Sequence, residues 1–73
     1  MAAYTPANFG RVQLRARTLL RAARPGYSRD ERIQESKDEL ETWLAANYDN
    51  PYAELSDVAY EAVELAAKEV WKR

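Results

Sequence analysis

Three observations predict an all-α fold, a small three-helix bundle with a short N-terminal arm. Apolar residues recur at helical spacing in three separate segments. Only two glycines and three prolines punctuate the 73 residues, which suits helices joined by two short connections. Alanine, leucine, arginine, glutamate and lysine, the strong helix formers, dominate what remains. The chain reads as one domain, 1–73, with helices over about residues 7–24, 29–48 and 52–72.

The first helix opens at Thr5-Pro6, an N-cap followed by proline at the first helical position. Phe9, Val12, Ala16, Leu19, Leu20 and Ala23 then fall on one face. Arg24-Pro25-Gly26 marks the stop, because the residue before proline disfavours helix and glycine follows. Residues 11–17 also admit a strand: Val12, Leu14 and Ala16 alternate with Arg11, Gln13, Arg15 and Arg17. Glutamine, leucine, arginine and alanine favour the helix over the strand. Gly10 leaves its first turn the least determined.

Ser28-Arg29-Asp30-Glu31 opens the second helix as a capping box, with two acids at the positive end of the helix dipole. Ile33, Leu40, Trp43, Leu44 and Asn47 form the expected inward stripe, with Ser36 and Lys37 weakening one turn. The helix should end near Tyr48, before the Asp49-Asn50-Pro51 turn. A third helix begins at Asn50-Pro51 or is recapped at Ser56-Asp57. Leu55, Val58, Ala59, Ala62, Leu65, Ala66 and Val70 make its core stripe, and Tyr60, Val63, Ala67 and Trp71 make a second. Together the two stripes span roughly 240° of the helix, more than a surface helix needs. This helix is therefore either central in the bundle or holds an apolar strip for a partner.

Composition sets limits on chemistry. A chain this short buries only about 60% of its unfolded surface, so its core is thin. It has no cysteine and no histidine, which removes disulfide staples, thiol nucleophiles, imidazole acid–base catalysis and the usual zinc frameworks. There is no glycine-rich phosphate loop, and Ser28, Ser36 and Ser56 lack a base partner. Acidic pairs such as Asp38/Glu41 and Glu61/Glu64 read as solvated faces. No catalytic residue, metal site or cofactor is expected, and the protein is not expected to be an enzyme. The N-terminus lacks the pattern of a signal peptide, and no apolar run approaches the roughly 20 residues of a membrane span. A cytoplasmic location without membrane contact follows as the expectation.

The charge is sharply divided. Through Arg29 every charged residue is basic: Arg11, Arg15, Arg17, Arg21, Arg24 and Arg29, a charge of +6. From Asp30 onward 12 acids face 5 bases, a charge of −7 and a net −1. Part of that arginine can be neutralised internally by the acidic helices; the remainder suits an acidic partner or phosphate. A dedicated nucleic-acid binder is usually basic, whereas the pI here is about 5.4. A third helix placed in a major groove would present Asp57, Glu61 and Glu64 to phosphates, so sequence-specific DNA binding is not expected. Weak, salt-dependent RNA contact through the first helix stays open.

Protein binding accounts for more of the sequence. Eight aromatic residues exceed what a thin core requires, and aromatic and arginine side chains are enriched at binding hot spots. Phe9 and Val12, rimmed by Arg11 and Arg15, form the expected apolar anchor. Tyr4 and Arg17 complete the expected partner-binding set: Tyr4, Phe9, Arg11, Val12, Arg15 and Arg17. Trp71 is a separate candidate whose alternative is ordinary helix packing.

In size and kind, as an alanine- and arginine-rich single domain without catalytic groups, the chain resembles the very small transcription regulators by which Xanthomonas phages bind host RNA polymerase. The resemblance implies binding to the β′ N-terminal region beside the RNA exit channel. It also implies inhibition of promoter initiation and suppression of intrinsic termination (antitermination). It assigns no residue a role. Two other readings remain: a protein–protein inhibitor of another host or defence complex, and an assembly protein self-associating through the third helix.

Overall fold

The computed structural model describes residues 3–22, 26–49 and 55–71. A single 3₁₀ turn, Pro6–Asn8, leads into α1 (Phe9–Arg21), followed by α2 (Arg29–Asn47) and α3 (Leu55–Val70). All three helices pack against one another, and α3 packs on each of the others more extensively than they pack together. The fold is a three-helix bundle with α3 as its central member. Among the described residues, no helix is long and apolar enough to cross a membrane.

Thr5 is extended and Pro6 occupies the first helical position, so α1 starts as its sequence predicts. Residues 11–17 are helical, which settles the strand alternative. The difference is visible in burial. On a strand, Val12, Leu14 and Ala16 would share a face; here Val12 and Ala16 are fully buried and Leu14 is 59% exposed. The helix ends at Arg21, earlier than the expected Arg24, with Ala22 already extended. Arg32 of α2 supplies a physical reason. Its guanidinium donates to the carbonyls of Leu20 and Ala22, meeting the unpaired acceptors of the helix end with positive charge. Gly26 takes a φ of 87°, a left-handed conformation that costs glycine little.

The capping box of α2 forms in full. Ser28 N donates to Glu31 Oε1 at 3.0 Å and Glu31 N donates to Ser28 Oγ at 3.2 Å. Hydrogen bonding from the Ser28 backbone amide, then from the Ser28 side chain, holds the Glu31 carboxyl below its ordinary range. Leu40 and Leu44 are buried as expected; Ser36, expected to weaken the stripe, is buried as well. Asn47 departs from the expectation: it is exposed, and its Nδ2 donates to Trp43 O at 2.8 Å.

In α3 the buried residues are Ala59, Ala62, Val63, Ala66 and Ala67, an arc of roughly 140°. Leu55 is already helical, so recapping at Ser56-Asp57 does not occur; the alternative start at Asn50-Pro51 lies outside the described residues. Leu65, expected in the core, is 40% exposed because it falls outside that arc. Alanine on α3 lets both neighbours approach closely, and the large buried side chains come from them: Val12 and Leu20, then Leu40 and Leu44. Gln13 lies against the same alanines. In the amide orientation that matches donor to acceptor, it donates to Ala62 O at 3.2 Å and accepts from Ala66 N at 3.1 Å. Ion pairs tie the outer helices to α3, among them Arg17–Glu69 at 3.3 Å and Lys37–Glu64 at 2.7 Å.

Candidate functional site

One face of α1 gathers exposed arginines. With 100° per residue, Arg11, Leu14, Arg15, Thr18 and Arg21 fall within roughly 120° of each other. All five are exposed, and α1 contains no acid. Among the described residues, neither Arg11 nor Arg21 makes an ion pair or hydrogen bond. Leu14 lies between Arg21 and Arg11 on this face and is the most exposed of the described large hydrophobic residues. Isolated exposed leucines are ordinary. This one is distinguished by what lies beside it.

Between α1 and α2 run two adjoining open cavities of about 420 and 440 Å³, within the range of about 300–1,000 Å³ typical of ligand clefts. The first is walled by Arg11, Leu14, Arg15 and Thr18 on one side and by Trp43, Asn47 and Tyr48 on the other. The second is walled by Arg15 and Leu19 against Asp38, Glu39, Thr42, Trp43 and Ala46. Arg15 and Trp43 belong to both, so the two cavities meet at this pair in the groove between α1 and α2. The Arg15 guanidinium stands 5.8 Å from the Trp43 ring centroid, within cation–π range.

An aromatic series closes one end. Trp43 meets Tyr48 edge to face at 6.1 Å, and Tyr48 meets Tyr4 at 5.7 Å with planes 86° apart. Tyr4 thereby fastens the N-terminal arm to the end of α2. Burial chiefly, then the negative charge of Glu61 and the neighbouring Tyr48 phenol, raises the Tyr4 pKa and keeps the ring neutral.

The six expected partner-binding residues separate into three groups. Arg11 and Arg15 lie on the exposed face and line the groove. Tyr4 and Phe9 are half-buried against the core, and Arg17 is engaged with Glu69. Val12 is a correction: it is 0% exposed and forms part of the core, so it cannot anchor a partner. The exposed apolar role falls instead to Leu14, beside Trp43. A signal for Leu14 was present in the sequence, since it projects roughly 170° from the centre of the apolar stripe of α1. Nothing local marks Trp43, Asn47 and Tyr48 as groove residues, because that depends on how α2 lies against α1.

Trp71 has a packing role. It is partly buried against the core, and the guanidinium groups of Arg29 and Arg32 each lie 5.2 Å from its ring centroid. Comparison with family models, curated proteins and solved structures finds no match to this chain.

Proposed function

We propose that the protein is a non-enzymatic regulator that acts by binding, with the outer face of α1 and the adjoining groove as its contact surface. The observation that carries this reading is Leu14: an exposed leucine, flanked by arginines on an acid-free helix face and bordering a tryptophan-lined groove. An apolar anchor with a basic rim suits a protein surface bearing carboxylates around an aliphatic or aromatic contact.

Bacterial RNA polymerase is the partner implied by the resemblance in size and composition, through its β′ N-terminal region. Inhibition of initiation and suppression of intrinsic termination are the proposed consequences, exerted in the bacterial cytoplasm. Purified polymerase holoenzyme passed over immobilised protein tests the target directly. The expected outcome is retention by the wild-type chain and loss of about tenfold or more in affinity with the double substitution Arg11→Glu and Arg15→Glu. Polymerase that fails to bind the wild-type chain removes the polymerase assignment. Retention that the double substitution leaves unchanged moves the contact surface elsewhere.

A further inference from the structure

Resting on the binding reading above, we propose that the groove between α1 and α2 receives one amphipathic α-helix from the protein partner. That helix runs parallel to α1 and lays its acidic N-terminal turn over Arg11 and Arg15. The bundle then gains a fourth helix.

The length of the groove suits such an occupant. From Arg11 to Leu19 its α1 wall extends about 12 Å, and from Asp38 to Tyr48 its α2 wall extends about 15 Å, at 1.5 Å per residue. Two to three turns of helix span that distance. Because α1 and α2 pack on α3 more closely than on one another, the furrow between them is the open side of the bundle. Its apolar lining is Leu14 and Trp43 in the first cavity and Leu19 and Trp43 in the second, contacts for the apolar side of a helix lying in the groove.

Charge sets the direction. Arg11 stands at the end near Tyr48, Asp38 and Glu39 line the other end, and Arg15 lies between them. A helix is stabilised by acids in its first turn and bases in its last. The same polarity that favours the incoming helix therefore matches the groove when its N-terminus lies at the Arg11 end. The alternatives meet repulsion. An RNA strand passing through the groove brings phosphate to Asp38 and Glu39. A second copy of this chain offering its own α1 face brings arginine against arginine.

The test uses two stapled helical peptides of equal composition, each with leucines on one face. One carries glutamates in its first turn and lysines in its last, and the other reverses that order. Each is titrated into the ¹⁵N-labelled full chain, with a short single-stranded RNA as a third ligand. The expected result is that the acid-first peptide shifts the Leu14, Trp43 and Asn47 resonances and binds about tenfold tighter than its reverse. With Arg11→Glu and Arg15→Glu together, the preference should diminish or invert; both positions are exposed, and circular dichroism verifies the fold. Absence of binding, equal binding of both peptides, shifts centred on α3, or tighter binding of the RNA overturns the proposal. The polymerase experiment distinguishes the two readings. Polymerase retention without peptide preference leaves the regulator standing and removes the helix in the groove, while peptide preference without polymerase retention keeps the helix in the groove and removes only the polymerase assignment.

Discussion

Leu14 and Leu20 stand six positions apart on one helix and have opposite surroundings, 59% and 0% exposed. Leu20→Ala should therefore cost about 2–5 kcal/mol, the usual toll of emptying a fully buried leucine site. Leu14→Ala should move stability by no more than about 0.5 kcal/mol, as a surface substitution does. Thermal denaturation of both variants checks the pair; a large loss from Leu14→Ala would place that side chain in the core and remove the candidate site. Arg32 is a residue of a different kind. It donates to two carbonyls at the end of α1 and lies beside Trp71. Arg32→Met keeps much of the stem and deletes the donors. It should destabilise by about 1.5–3 kcal/mol, the range for hydrogen bonds to a charged group. Lysine should restore only part of this, because a single ammonium does not reproduce the planar fork.

Helix ends and faces differ in how far they can be read before the fold is known. The Ser28–Glu31 capping box was legible because both partners lie within four residues and depend on no tertiary contact. Helix order and approximate extent were legible for the same reason. The end of α1 was not, since Arg32 reaches it from eleven residues beyond Arg21. Nor were the exposure of Leu65 and Asn47 or the burial of Ser36, which depend on where neighbouring helices cross. The same limit hid the Trp43 side of the groove while leaving Arg11 and Arg15 visible. Local features also give local predictions. A methyl group added at Gly10 meets no atom within 4 Å, so Gly10→Ala should stabilise α1 by about 0.4–1 kcal/mol; a drop in melting temperature would mean that the first turn is constrained in a way its geometry does not show. Glu31 is held below its ordinary value of 4.5 by the cap. Its contribution is then present above that value and disappears as pH falls through the depressed one. The melting-temperature advantage of wild type over Glu31→Gln should accordingly persist at neutral pH and vanish in acid. An advantage that grows on acidification contradicts the cap as its origin.

Across the whole molecule, the division between basic and acidic halves becomes a division between faces. Arg17 is matched to Glu69 and Lys37 to Glu64, while Arg11, Leu14 and Arg15 face outward together. This arrangement bears on self-association. A two-fold contact sets a surface against its own copy, so pairing through α1 brings like charges together on a helix with no acid to separate them. The broad apolar arc of α3 offers no substitute, because the bundle covers its centre. Tyr60 and Leu65 remain exposed on opposite flanks, roughly 140° apart and unable to form one strip. Sedimentation equilibrium at physiological salt should therefore report a monomer of 8.4 kDa over a wide range of concentration. A mass that rises with concentration would favour an assembly role and direct attention back to α3. Repeating the measurement in about 1 M salt, where the screening length falls to about 3 Å, isolates the electrostatic part. Dimers that form only there, and that Leu14→Ser abolishes, would identify arginine repulsion as what keeps the α1 faces apart and leaves them available to a partner of opposite charge.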